Sequence, residues 1–252
     1  MVRGIESFSK WFRGHEKQYV LIGGAACDLL MSGEGLDFRA TKDIDMVLII
    51  EAVDADFGRR FWEYVVSGGY EHRNKSLNKH MFYRFSNPVS NDFPVMIELF
   101  TRKPDLVILP DDAVLSPIPM DEDISSLSAI LLDDDYYDFL RHGRTSVMGI
   151  TVLDAPHLIP FKAKAWLDLS DLKAKGEHVD SRNIKKHKND VFRLTELLEP
   201  DMGVLDHIPD TVRADMGDFI ERMMSETVEL KQLGINGKSK EDILDGLRNI
   251  YI

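Results

Sequence analysis

Two aspartates one residue apart open an otherwise unbroken apolar segment, Asp43-Ile44-Asp45-Met46-Val47-Leu48-Ile49-Ile50. Its β-branched, apolar character predicts a strand over Ile44 to Ile50 with the acids at its start. On a strand both aspartates project from one face, while Ile44 and Met46 point into the core. A segment this apolar needs cover from neighbouring elements, so the chain must build a sheet packed against helices. Val95 to Phe100 predicts a second strand, with Glu98 between Ile97 and Leu99. A carboxylate in the middle of an apolar strand needs a partner.

The remaining elements fit around these two strands. Ile5 to Gln18 has apolar residues at helical spacing, and Tyr19 to Ile22 reads as a short strand. Gly23 and Gly24 break it before a helix over Ala25 to Met31, and Ser32 to Lys42 reads as a loop. Asp54 to Ser67 is predicted helical, capped by Asp54 or Asp56 and ended by Gly68 and Gly69. Tyr70 to Arg73 and His80 to Phe85 are expected strands. The prolines and aspartates from Pro104 to Pro119 suggest loops and at most one edge strand. Ser125 to Leu132 fits a short helix or strand, Tyr136 to His142 a helix, and Ser146 to Leu153 a strand with a glycine irregularity. Helices follow after Asp154 with Pro156 in the first turn, over Ser181 to Leu198, over Asp210 to Ser225, and from Ser239 to Tyr251. The expected fold class is α/β (α+β): a mixed, mostly antiparallel sheet flanked by helices over residues 1–120, then a mostly helical domain over 121–252 covering the cleft.

Composition removes several function classes. The 252 residues carry a formal net charge of −12, which opposes non-specific binding to nucleic acid. A local basic patch from Lys185 to Lys188, with Arg182 and Arg193 nearby, fits either an RNA contact or a solvated helix face. The single cysteine, Cys27, lies in an apolar stretch and reads as buried filler. None of the 8 histidines forms a metal-spaced pair with it, so zinc is not expected. No apolar run reaches the roughly 20 residues of a membrane span, and the first ten residues lack a signal-peptide core, so a cytoplasmic protein without membrane contact is expected. No glycine-rich segment ending in Lys-Ser or Lys-Thr stands between a strand and a helix, which excludes a Walker-type phosphate loop.

If the two acid-bearing strands are neighbours, Glu98 joins Asp43 and Asp45 in one site. Three carboxylates that close repel unless a cation lies among them, and magnesium favours oxygen ligands while keeping positions for water and phosphates. Asp43, Asp45 and Glu98 are therefore the candidate catalytic residues and the candidate ligands for Mg2+ or Mn2+. Upstream, Val20-Leu21-Ile22-Gly23-Gly24 is a strand delivering two glycines to a helix start. Bare amides there can approach a phosphate, and the helix dipole favours its charge. Gly23 and Gly24 are candidate nucleotide-binding residues, and Arg39 and Thr41 are placed to shape the rim facing them. Lys42 points to the opposite strand face and reads as structural or exposed.

This pattern resembles the nucleotidyltransferase superfamily related to DNA polymerase beta: a glycine turn, Asp-hydrophobic-Asp, and a third acid on a neighbouring strand. Gly23, Gly24, Asp43, Asp45 and Glu98 match those positions. Gly23-Gly24-Ala25-Ala26 followed by Thr41-Lys42-Asp43-Ile44-Asp45 looks most like the AbiEii-type branch, which includes toxins of bacterial toxin-antitoxin and phage-abortive systems. His157-Leu158-Ile159-Pro160-Phe161-Lys162-Ala163-Lys164-Ala165 is similar to that branch's lysine-bearing helix, and His187-Lys188-Asn189-Asp190-Val191 to its later basic and acidic motif. The gap from Gly24 to Asp43 is longer than usual, marking Ser32 to Phe38 as an insertion. The turn's second residue is glycine rather than serine, and Arg193 stands where related motifs often have an acid.

The resemblance implies transfer of a nucleoside monophosphate from a nucleoside triphosphate to an acceptor hydroxyl, on RNA, a protein or a small molecule, with release of pyrophosphate. An antitoxin protein is the expected partner if the branch holds. Lys162 is a candidate phosphate ligand, with a solvent-facing lysine as the plainer alternative and Lys164 equally available. Asp190, three residues after His187 and four after Lys186, is a candidate for orienting a basic group or for a surface ion pair. Two rival readings stand beside the enzyme. One is a non-enzymatic nucleotide- or partner-binding member of the fold, and the other is an aminoglycoside-type small-molecule nucleotidyltransferase, which the acidic charge allows.

Overall fold

A computed structural model describes residues 2–77, 80–102, 116–117, 130–131 and 133–252, without the side chains of 72–82 and 116–117. The chain forms two compact units, Met1–Pro119 with Arg144–Leu153, and Met120–Gly143 with Asp154–Ile252. A single cut after residue 120 therefore misassigns residues 144–153, whose strands bond into the sheet of the first unit. Most of the segment expected as a helix or strand over 125–132 lies outside the described residues, as does most of 104–119.

The first unit opens with helix α1 (Ile5–Trp11), strand β1 (Tyr19–Ile22), helix α2 (Gly23–Gly33), strand β2 (Asp43–Leu48) and helix α3 (Ala55–Gly68). Strands β3 (Glu71–Leu77), β4 (His80–Ser86), β5 (Met96–Thr101) and β6 (Ser116–Pro117) follow, then the hairpin β7 (Arg144–Val147) and β8 (Ile150–Leu153). They make one mixed sheet in the order β6-β3-β4-β5-β2-β1-β8-β7. The pairs β1–β2, β3–β4, β4–β5 and β7–β8 are antiparallel, and β1–β8, β2–β5 and β3–β6 are parallel. The expected single strand over 146–153 is a hairpin instead. It turns at Met148 and Gly149, both at positive φ (53° and 75°), and a methionine there leaves no turn signal in the sequence.

Alternation gives this sheet two distinct faces. Register pairs Tyr19 with Leu48, Leu21 with Met46, Ile44 with Ile97, Met46 with Leu99, and Phe85 with Ile97, so these side chains share one face. All of them are buried. Helices α1 and α3 cover that face with rings: Phe8, Phe12 and Phe57 lie 5.5, 6.0 and 6.4 Å from Tyr19, and Phe61 lies 5.3 Å from Phe85. Each fully buried ring contributes roughly 1.5–3 kcal/mol, and edge-to-face pairs add to that. Asp54 caps α3 by accepting from the Phe57 amide at 2.8 Å, and Gly69 ends it in the left-handed conformation. Asp43, Asp45 and Glu98 take the other face.

The second unit is helical, with α4 (Asp134–His142), α5 (Ala155–Ala174), α6 (Ser181–Leu194), α7 (Asp210–Ser225) and α8 (Lys240–Tyr251). Helix α5 is apolar on nearly every side and packs against α6 and α7, which makes it the central helix. Asp154 caps it through the His157 amide at 3.0 Å. Pro160 lacks the N–H that would bond Pro156, and the Tyr251 hydroxyl donates to the Pro156 carbonyl instead at 2.5 Å. Ser239 and Asp242 form a reciprocal capping box at the start of α8. No helix among the described residues is long and apolar enough to cross a membrane.

Candidate active site

The register of three strands assembles the candidate site. In the parallel pair β2–β5, Asp45 stands opposite Glu98, and in the antiparallel pair β4–β5, Arg84 stands opposite Glu98. In the pair β1–β2, Ile22 stands opposite Asp45. One row therefore crosses the sheet as Arg84, Glu98, Asp45 and Ile22, ending where the glycine turn begins. Asp43, two residues before Asp45, lies on the same face. Register thus sets Asp45 opposite Glu98 and beside the Gly23-Gly24 turn, with Asp43 two positions earlier along the same strand face.

The glycine turn lies hard against these acids. Gly23 has φ +68°, and a Cβ on it would stand 1.7 Å from Asp45 Oδ2. Both facts demand glycine at this point, since an L side chain would be strained and would collide with the carboxylate. A Cβ on Gly24 would meet Thr41 Oγ1 at 2.7 Å and Arg39 Nη2 at 3.3 Å, so both residues line the glycine rim as their sequence positions suggested. The turn delivers the chain straight into α2, whose first amides have no partner within the helix. Lys42 is exposed.

Glu98 is only 6% exposed. Burial pushes its carboxyl up to about 9, and the charge of Asp45, a hydrogen bond with Asp45 and the charge of Asp43 act in the same direction, while Arg84 pulls down. Arg84 Nη2 lies 2.7 Å and Nε 2.9 Å from Glu98 Oε1. The short contact to Arg84 and the raised affinity for a proton are compatible. Burial and the neighbouring acids raise the Glu98 carboxyl's affinity for a proton, while Oε1 still accepts from the guanidinium. Among the described residues no three His, Cys, Asp or Glu side chains stand together as a ready-made metal cage. The donor chemistry nevertheless suits a hard divalent cation: oxygen ligands from neighbouring strands, crowded enough to hold a proton that a cation would replace.

Arg84 is the functional candidate that the sequence reading missed. Its signal was present, because Tyr83-Arg84-Phe85 sets a cation among apolar neighbours just as Ile97-Glu98-Leu99 sets an acid.

Lys162 and Asp190 meet inside the second unit. Lys162 is 5% exposed and Asp190 0% exposed, with Nζ and Oδ2 3.3 Å apart, and Arg193 Nη1 lies 3.9 Å from Asp190 Oδ1. Neither the solvent-facing lysine nor the surface ion pair weighed from the sequence matches this. The pair ties α5 to α6 across the unit's interior. Lys164, the other lysine considered, bonds Asp168 at 3.1 Å and Asp215 at 3.4 Å.

No family model matches the sequence, and no curated protein matches it. Among solved structures, the chain is similar to an antigenic nucleotidyltransferase-like protein from Paracoccidioides brasiliensis, at 14% identity and TM-score 0.46, covering 94% of each chain. It is also similar to the antibiotic-resistance factor ANT(2'')-Ia, at 9% identity and TM-score 0.41, covering 88% of this chain and 92% of that one. A third likeness is the Cid1 poly(U) polymerase bound to MgATP, at 12% identity and TM-score 0.31, covering 90% of this chain and 68% of that one. At these values the likenesses carry no argument about activity, which has to rest on the residues.

Proposed function

We propose that the chain is a metal-dependent nucleotidyltransferase that moves a nucleoside monophosphate from a nucleoside triphosphate to an acceptor hydroxyl and releases pyrophosphate. The observation that carries this reading is the register pair Asp45–Glu98 lying beside a positive-φ glycine turn at a helix start. One buried and one half-buried carboxylate beside a bare backbone bend are what a triphosphate and its cation need within one small space.

Asp43, Asp45 and Glu98 would hold Mg2+ or Mn2+. Bound there, a divalent cation offsets charge on the triphosphate and lowers the pKa of the attacking hydroxyl. The chain's own residues divide the remaining work. Gly23 and Gly24 offer amides to phosphate oxygens, and the α2 dipole favours their charge. Arg39 and Thr41, against Gly24, supply a guanidinium and a hydroxyl at the same rim. Glu98, the acid in register with Asp45, is the one we assign to assist deprotonation of the acceptor hydroxyl. A phosphate contact by Lys162 would require its pair with Asp190 to open, so we assign both residues to the architecture of the second unit.

The AbiEii-type branch, with an antitoxin as partner, rests on the sequence motifs at 23–26, 41–45, 157–165 and 187–191. The test of the reaction class is Asp45→Asn, a near-isosteric change that removes one charge. It should leave the fold intact and abolish Mg2+-dependent labelling of an acceptor when protein is incubated with each labelled triphosphate and total RNA or protein. Full labelling by the variant would defeat the assignment.

A further inference from the structure

We infer that Arg84 is a positioning residue for Glu98: by holding Oε1 with a hydrogen bond from Nε and a close ion contact from Nη2 it presents the remaining carboxylate oxygen to a divalent cation shared with Asp45. The inference rests on the proposed metal-dependent reading and adds to it a residue outside the expected acid set.

Three observations support it. First, Arg84 occupies the acid face of the sheet, in register with Glu98, rather than the aromatic face where a purely structural cation would be cut off from the site. Second, its contact is asymmetric. An arginine usually meets a carboxylate fork to fork, one N–H on each oxygen. Here Nη2 and Nε both converge on Oε1, at 2.7 and 2.9 Å, so Oε2 is left outside the guanidinium's grip. Third, the Arg84 side chain is 18% exposed and that of Glu98 8% exposed, so the contact works where solvent screens little. A carboxylate on a long side chain needs such a tether to keep one oxygen aimed at a shared cation. Partners of this kind typically govern metal affinity by roughly 10- to 100-fold.

The test measures Mn2+ binding to the full chain by electron paramagnetic resonance, alongside thermal midpoints without metal. Wild-type protein should bind Mn2+, and Arg84→Ala should bind it about tenfold more weakly. Arg84→Lys keeps the charge and the fold but has no rigid fork, so it should fall between the two. A structural ion pair alone would move the thermal midpoint and leave affinity per folded molecule unchanged. Arg84→Ala or Arg84→Lys binding as tightly as wild type, or more tightly, would overturn the inference and recast Arg84 as a competitor for the carboxylate. Absence of Mn2+ binding by wild-type protein would instead overturn the metal-dependent reading together with it.

Discussion

Replacing Gly23 with alanine tests the site's geometry at its tightest point. At φ +68° an alanine is strained by about 1–2 kcal/mol relative to glycine. Its Cβ would stand 1.7 Å from Asp45 Oδ2, whereas ordinary contact begins near 3.4 Å, so the carboxylate must retreat by about 1.7 Å. A misplacement of about 1 Å at a reacting centre is enough to cost on the order of 10²-fold in rate. Gly23→Ala should therefore lose at least about 10²-fold in turnover and bind Mn2+ more weakly, while its thermal midpoint falls by only a few degrees. Gly24→Ala is the internal comparison. Its Cβ would meet Thr41 Oγ1 at 2.7 Å and Arg39 Nη2 and Thr41 Cβ at 3.3 Å, side-chain atoms that can give way more readily than the Asp45 carboxylate at 1.7 Å from Gly23, so its loss should stay within about tenfold. The assay follows pyrophosphate release with Mg2+ and each triphosphate, with Mn2+ titration as a second measure. If Gly23→Ala keeps turnover and Mn2+ affinity within about twofold of wild type, Asp45 is not at the working centre and the reasoning is refuted.

The buried pair of the second unit gives a second prediction: Lys162→Met takes the nearer cation from a fully buried carboxylate, leaving Arg193 Nη1 at 3.9 Å, and should destabilise by about 3 kcal/mol in urea denaturation, whereas Lys162→Met with Asp190→Leu should recover most of that. A single-variant loss under about 1 kcal/mol would show that the pair is not what holds α5 to α6. The third prediction concerns pH. The folded protein holds the Glu98 proton up to about 9, against an ordinary value of 4.5, so between these limits the native state binds more protons than the unfolded chain. Stability without metal should therefore fall as pH rises through this window, and Glu98→Gln, facing the same Asp45, Asp43 and Arg84, should fall less steeply. Parallel curves for the two proteins would mean that Glu98 is already ionised in the metal-free fold.

The sequence made some elements plain and hid others for identifiable reasons. Strands β1 and β2 are apolar runs bounded by a glycine and by acids, β5 is an apolar run around Glu98, and α3 carries both its cap and its stop in Asp54 and Gly69. The first helix stops at Trp11 rather than Gln18, because the chain turns through Gly14 at φ +91° despite an apolar spacing that hints at continuation. Helix α6 ends at Leu194 and tightens into a 3-10 turn over Thr195–Leu197, a change of hydrogen bonding that periodicity does not register. Asp190 defeated the reading for another reason. Spacing rules see neighbours three or four residues away, whereas its partner Lys162 lies on a different helix.

The acid row shows how core packing can choose a site. Strands β2 and β5 run parallel, with α3 and the β3–β4 pair between them in sequence, so no tight turn fixes their register. A slip of one residue would turn Ile97 and Leu99 away from the rings of α1 and α3 and push Glu98 among them. That exchange places a carboxylate in an apolar core without a partner, at a cost of several kcal/mol. The apolar residues Ile44, Met46, Ile97 and Leu99, none of which touches a substrate in this reading, therefore set the distance between Asp45 and Glu98. The chemistry follows from a register that the aromatic core enforces.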